Sequence, residues 1–315
     1  MSQQVIALDL GGTKTTAAVV EVGDGARVLH RVTRPTPASE GAAAVLASAL
    51  DLADRVVRDL QAAGVPGRPV AVGLASAGVV DAERGVVTHA TDHLPGWPGT
   101  DLVAAFRERF GVPVRALNDV HAHGVGEALF GAGAGHASML LVAVGTGIGG
   151  CHVIGGVPVL GATFSAGHVG HVPVPEATGV SCPCGRTGHL EGIASGPGIH
   201  AGFLAREGTA ADTREIAALA HAGDARAVAA VRGAGYATGR VIGGLLNVLN
   251  PDVVVLTGGV AEIGEPWIGA VTLGIAHDAM DVVAATPVVP AAAGVEAALL
   301  GAASWALTPL SRRDS

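Results

Sequence analysis

An apolar strand that runs into a glycine turn and straight back out limits the folds open to this chain, and the sequence contains the pattern twice. Residues 4–10 (QVIALDL) lead into Gly11-Gly12-Thr13-Lys14, and Thr15 to Val22, small and β-branched, lead out. Met139 to Val144 lead into a turn at Gly145 to Gly150, and Cys151 to Ile154 return. Both read as hairpins, unlike a Walker loop, whose glycine turn opens a helix. Each is followed by α/β material. Residues 40–63 have helical periodicity, with Leu46, Leu50, Ala53, Val57 and Leu60 on one side. Val70 to Ala75 is a buried strand ending in Ser76-Ala77-Gly78, Leu102 to Phe110 a helix, and Val114 to Leu117 a strand that delivers Asn118-Asp119. In the second half a helix covers about 224–248, the strand Val253 to Leu256 runs into Thr257-Gly258-Gly259, and 292–306 form a closing helix. The expected fold class is α/β with two related lobes and a cleft between them. The first lobe is residues 1–117, closed by a C-terminal helix at about 292–315, and the larger second lobe is 118–291.

With 315 residues, the chain is long for one core and suits two. Hydrophobic residues make up 49% and charged residues 15%, which supplies a core and argues against disorder. The net charge of −8 and the absence of a Lys/Arg run argue against a nucleic-acid partner. The start, Met1-Ser-Gln-Gln, enters a strand directly, so no signal peptide is expected. Ala137 to Gly167 lacks Asp, Glu, Lys and Arg, but its glycines and Pro158 read as strands and turns and not as a membrane span. A soluble, cytoplasmic protein with no membrane partner is expected.

Three Gly turns follow apolar strands: Gly11-Gly12-Thr13, Gly145-Thr146-Gly147 and Thr257-Gly258-Gly259. Glycine lets the backbone approach an anion so that successive N–H groups point at it. Thr13, Lys14 and Thr146 can add donors, and Asp9 can orient Mg²⁺ or its waters. One such turn alone reads more readily as a plain hairpin; three in the order of two lobes point to phosphate. Gly145-x-Gly147-x-x-Gly150 also matches the dinucleotide fingerprint, but that reading needs a helix after the turn and a strand follows. Asp119, at a strand end, is placed to take a proton, with Asn118 beside it to hold hydroxyls; the alternative is an Asx turn closing the strand. His171, Cys182, Cys184 and His189 lie within nineteen positions and suit a tetrahedral Zn²⁺, the alternative being unpaired cysteines and stray histidines. Cys151 reads as a small core residue.

The segments Leu8-Asp-Leu-Gly-Gly-Thr-Lys, Leu117-Asn-Asp, Val144-Gly-Thr-Gly-Ile-Gly-Gly, Gly167-His-Val-Gly-His and Cys182-Pro-Cys-Gly-Arg-Thr-Gly-His-Leu-Glu resemble the ROK family (repressors, open reading frames and sugar kinases). The resemblance covers nearly the whole chain, with the motifs in family order. It implies the two-lobe, actin-like, hexokinase-type ATPase fold. It also implies ATP with Mg²⁺, the first two Gly turns on the phosphates and Gly258-Gly259 beside the adenosine. Asn118 and Asp119 match the sugar ligand and catalytic base, Glu191 a further sugar ligand, and Ser76-Ala77-Gly78 the loop that meets the sugar. The family's zinc site uses His and three Cys; here His189 stands where the family usually has Cys, and the zinc knuckle 171–189 would fix the loop carrying sugar ligands. Asp92 and His93 precede Leu94-Pro-Gly-Trp97, where the family usually has Asn. Family members are commonly dimers or tetramers, so a homo-oligomer is expected. Repressor members place a helix-turn-helix ahead of the first Gly turn, and here that turn already begins at Gly11, so a regulator is not expected.

ROK glucokinases read Gly-Glu-x-Gly-His before the zinc histidine, whereas this chain reads Gly167-His168-Val-Gly-His171. A neutral imidazole offers one donor and one acceptor, where a carboxylate only accepts. Bacterial N-acetylmannosamine kinases of the family carry His at this place, and Pro35-Thr-Pro-Ala-Ser39 and Ile193-Ala-Ser-Gly resemble that subgroup. The resemblance therefore implies phosphorylation of the 6-hydroxyl of N-acetylmannosamine, a step in sialic acid breakdown. A glucokinase or N-acetylglucosamine kinase is the alternative. For His168 itself, packing within its loop is the competing reading.

Overall fold

The computed structural model describes residues 2–90 and 94–308. Asp92, His93 and the end of the expected closing helix at 309–315 lie outside the described residues. The strands are β1 Gln3–Leu10, β2 Lys14–Val22, β3 Ala26–Pro35, β4 Ala71–Ser76, β5 Val79–Asp81, β6 Val86–His89, β7 Val114–Asn118, β8 Ser138–Val144, β9 Ile148–Ile154, β10 Val157–Pro158, β11 Val253–Thr257 and β12 Val288–Pro290. The helices are α1 Ala42–Ala62, α2 Leu102–Phe110, α3 Asp119–Phe130, α4 Glu191–Ala194, α5 Gly196–Leu204, α6 Thr213–His221, α7 Ala225–Leu249, α8 Trp267–Asp278, α9 Asp281–Ala284 and α10 Ala297–Leu307. The chain divides into two compact units, one of residues up to 135, 156–166 and those from 292 onward, the other of 136–155 and 167–291. The expected boundary at 117/118 lies one helix earlier than this division, because α3 packs on α10.

The first unit's sheet has the order β3-β2-β1-β4-β7. β1 pairs antiparallel with β2 and parallel with β4, and β4 pairs parallel with β7. Alternate residues of a strand face opposite sides, and β1 is apolar on both. Ile6, Leu8 and Leu10 pack with Val45, Ala49, Leu52 and Phe106 of α1 and α2. Val5 and Ala7 pack with Leu299, Leu300 and Ala303 of α10. Each such leucine or isoleucine, fully buried, contributes about 1.5–3 kcal/mol over an exposed one. The contact between α3 and α10 is made backbone to backbone. Gly126 lies against the Ala297 carbonyl oxygen and Gly301 against that of Ala122, with no room for a methyl group at either.

In the second unit β8 pairs antiparallel with β9 and parallel with β11, and β11 pairs parallel with β12. This repeats the relation of β1 to β2 and β4. Helix α7 starts at Asp224, whose carboxylate accepts from the Arg226 and Ala227 N–H groups, and ends at Asn250 in the left-handed region. Its Gly235, Gly239 and Gly243, four residues apart, bring it against the Trp267, Val271 and Ile275 carbonyls of α8. The charge-free stretch 137–167 contains β8, β9 and β10. Among the described residues no helix is long and apolar enough to cross a membrane.

Candidate active site

In the first unit three parallel strands end level with one another. Leu10 pairs with Ser76, and Ser76 with Asn118. The carboxyl ends of parallel strands are where open α/β sheets bind ligands. Asn118 is the N-cap of α3: its side-chain oxygen accepts from the Val120 and His121 N–H groups. Its amide donates to Gly78 O and to Asp119 Oδ1, both at 2.8 Å. Gly78 sits at φ +92°, a conformation that favours glycine. Ser76 accepts from the ring N–H of buried Trp97 at 3.1 Å, which fixes the Ser76-Ala77-Gly78 loop. The Asx geometry weighed for this strand end is therefore realised by Asn118 as a helix cap, and Asp119 becomes the first helical residue.

Burial pushes the Asp119 carboxyl up to about 6, and the like charge of Asp9 adds to the rise, against donation by the Val120 N–H and the Asn118 amide. Asp9 is itself raised by burial and pulled back by Lys14. Two acidic oxygen-donor groups, each with a raised affinity for protons, suit a hard divalent cation such as Mg²⁺, with Asp9 the nearer to the first Gly turn and to Lys14. That turn closes with Gly11 N–H donating to Lys14 O at 3.1 Å. Thr36 pins it twice, by its N–H to Thr13 O at 3.0 Å and its hydroxyl to Gly11 O at 2.7 Å. Gly12 is partly open, and Thr13 and Lys14 are exposed.

In the second unit Gly145 N–H donates to Gly147 O at 2.9 Å, and β9 leads away. A strand after this turn rules out the dinucleotide-type strand-to-helix geometry. A cavity of about 720 Å³ adjoins it, lined by Gly145, Thr146, Gly259 and also by Pro197, His200 and Thr213, among others. Gly258, at φ +93°, lies against the Val144 carbonyl and could carry no side chain. The cavity residues from α5 and α6 were not anticipated. Two local signals mark their helices. Ser195 caps α5 ahead of a Pro in its first turn, and Asp212 caps α6 with Glu215 three residues on.

His171, Cys182, Cys184 and His189 come together, their ligand atoms all within 4.8 Å of one another. Cys182 Sγ is 3.5 Å from His171 Nδ1, and Cys184 Sγ is 3.3 Å from His189 Nδ1. Four N and S donors on a tetrahedral Zn²⁺ stand about 3.3–3.8 Å apart; these two pairs lie at that spacing, and the chemistry of the four donors suits such an ion. Burial pushes the Cys182 thiol up to about 11, and a cation is what would hold it as thiolate. The knuckle is built by isolated bridges Pro173 to His189 and Ser181 to Thr187, with Gly185 and Gly188 at positive φ. His168 is exposed and its ring stacks on His171 at 6.0 Å between centroids. Glu191 starts α4 and accepts from the Ile148 N–H at 2.7 Å, so it is not merely a solvated helix-start carboxylate. Cys151 is fully buried, as expected.

The ROK family pattern matches residues 5–308. A glucokinase of Thermotoga maritima is 31% identical over 316 residues, 96% of each chain. An N-acetylmannosamine kinase of Shigella flexneri is 32% identical over 276 residues, 87% of this chain and 89% of that one. A ROK family glucokinase of Streptomyces griseus, solved with glucose and AMPPNP, superposes with a TM-score of 0.74 at 28% identity, covering 96% of this chain and 98% of that one. The two sheets and their helices are the actin-like ATPase fold. With its glycine turns, its strand-end acids and 304 of its residues spanned by one pattern (5 through 308), the chain belongs to the ROK family.

Proposed function

We propose that this protein is a sugar kinase that moves the γ-phosphoryl group of ATP to the 6-hydroxyl of N-acetylmannosamine, with Asp119 as the base. The observation that carries the reading is the placement of Asp119. It is a half-buried carboxylate at the start of α3, directly after the end of β7 and near Asp9, its affinity for protons raised to where a base works near neutral pH. As the sugar oxygen bonds to phosphorus, its proton passes to Asp119 Oδ and the bond from phosphorus to ADP breaks. The rest of the work is positioning and charge neutralisation. Gly11, Gly12, Thr13 and Lys14 in the first unit, and Gly145, Thr146 and Gly147 in the second, supply N–H and side-chain donors to the phosphates. Gly259 lines the cavity assigned to adenosine, and Gly258, just before it, is assigned to the same turn. Mg²⁺, when bound, would neutralise phosphate charge, and Asp9 would hold it or its waters. Gly78, Asn118, His168, His171 and Glu191 are assigned to the sugar. The protein is expected to act as a homo-oligomer in the cytoplasm.

Overall identity does not separate the sugars, since the glucokinase and the N-acetylmannosamine kinase match about equally. The choice rests on His168. An imidazole N–H can meet the carbonyl of an axial 2-acetamido group, which a carboxylate would repel. A sugar panel in a coupled ADP assay is expected to rank N-acetylmannosamine above glucose and N-acetylglucosamine by about tenfold or more in kcat/KM. His168→Glu should move that ratio toward glucose. A wild-type preference for glucose would overturn the substrate assignment and favour the glucokinase reading.

His171, Cys182, Cys184 and His189 would hold a structural Zn²⁺. Elemental analysis should find one zinc per chain, and His189→Ala should lower that content. A zinc-free protein of full activity would refute the site.

A further inference from the structure

The second Gly turn is held at both ends by one short stretch of chain. Gly196 N–H donates to Gly145 O at 2.8 Å, and the Glu191 carboxylate accepts from Ile148 N–H at 2.7 Å. Glu191 and Gly196 are themselves joined through Ser195, whose hydroxyl donates to Glu191 O at 2.7 Å. The stretch 191–196 thus clasps residues 145–148. The carboxylate lies close against both neighbouring turns. A methyl group on Gly147 would stand 3.1 Å from Glu191 Oε2, and one on Gly170 would stand 3.2 Å from the same atom. Gly170 lies between His168 and His171 and packs on the backbone of Ile148. One oxygen of Glu191 therefore meets the phosphate turn and the His168–His171 turn together.

We propose that Glu191 is a positioning residue for the nucleotide turn as well as a sugar ligand, so that sugar and nucleotide tighten one another's binding through it. This deepens the sugar-kinase reading and rests on it. A carboxylate has two oxygens: one can keep the Ile148 N–H while the other takes a sugar hydroxyl. A hydroxyl on one oxygen restrains the carboxylate's rotation, and a restrained carboxylate fixes the turn whose N–H groups receive phosphate. By thermodynamic reciprocity, a nucleotide that orders the turn must then favour the sugar to the same degree.

The test is equilibrium binding of Mg²⁺–AMPPNP and of N-acetylmannosamine to the full-length protein, each alone and together. In the wild type each ligand should raise affinity for the other by about fivefold or more. Glu191→Ala should weaken AMPPNP alone by about fivefold and abolish the mutual effect. Glu191→Gln, whose amide oxygen can still accept the Ile148 N–H, should bind AMPPNP alone within about twofold of wild type while losing sugar affinity. Gly147→Ala, pressing on the carboxylate from the nucleotide side, should weaken sugar binding in the absence of nucleotide. Unchanged AMPPNP affinity in Glu191→Ala, an equal loss in Glu191→Gln, or unchanged sugar affinity in Gly147→Ala would each overturn the coupling. If no sugar of the panel is bound or phosphorylated by the wild type, it is the kinase reading that fails. The AMPPNP-only arm still reads the clasp in that case.

Discussion

Asp119→Asn should leave the fold intact and lower kcat by roughly 10²–10⁴-fold, the usual contribution of a general base. Asparagine has the same shape, and its oxygen can keep the bonds that Asp119 Oδ1 accepts from the Val120 N–H and the Asn118 amide. Sugar binding should change little, because the variant loses a proton acceptor and not a volume. Two further readouts separate this from a general disturbance. The wild-type kcat/KM should fall as pH drops through about 6, the value to which burial and Asp9 push the Asp119 carboxyl, and the variant should lack that limb. Stability should move the other way. A carboxyl whose folded value lies above its unfolded one binds more protons folded than unfolded, so the fold is favoured at low pH and loses stability as pH rises from about 4 to about 6. At pH 7.5, without metal or nucleotide, the variant avoids that cost and should be more stable by on the order of 1–3 kcal/mol. A calorimetric Tm no higher than wild type, with near-normal turnover, would remove Asp119 from the role of base.

Gly301→Ala should be the most damaging single methyl group in the first unit. The added Cβ would overlap the Ala122 carbonyl oxygen and stand 2.7 Å from Gly126 N, both backbone atoms of α3 that no rotamer change can move. Overpacking of this kind costs about 1–3 kcal/mol, sometimes more. The helix that must shift begins with Asp119, and a displacement of about 1 Å at a catalytic group can cost about 10²-fold in rate. Tm and kcat should therefore fall together. Gly244→Ala in α7 is the control, because nothing lies within 4 Å of a Cβ built there. That substitution should be neutral, or stabilising by about 0.5–1 kcal/mol through helix propensity. Equal Tm for the two variants would mean that α3 and α10 are not locked by their glycines.

Periodicity and turn chemistry revealed what depends on neighbours in sequence. The helix read over 40–63 runs over 42–62, and the one read over about 224–248 runs over 225–249. The strand after the second turn begins at Ile148 and not at Cys151, because Gly149 and Gly150 pair with Ala143 and Val142 as ordinary sheet residues. The closing helix starts at Ala297, five residues later than read, since Gly294–Glu296 form a separate 3-10 turn. What depends on distant chain stayed hidden. Helix α3 behind Asp119 carries Gly124 and Gly126, which depress helical propensity, and it is held by α10 from the other end of the sequence. The pKa-raising pair of Asp9 and Asp119 is invisible in spacing, because it arises from strand order. The cavity walls from α5 and α6 lack any shared local pattern with Gly145 or Gly259. The zinc-type donors, by contrast, lie close in sequence and meet in space.

The glycine seams of α3 with α10 and of α7 with α8 carry one more consequence. Where a large side chain fills a gap, replacement can err by being too small or too big, and neighbours can creep in to compensate. At Gly126, Gly239 or Gly301 every replacement adds atoms to a place where backbone already meets backbone. Random drift at these positions has a single direction, toward excess. The chain's freedom to vary must lie on the outward faces of the same helices, so two turns of one helix can differ widely in how many neutral histories they permit.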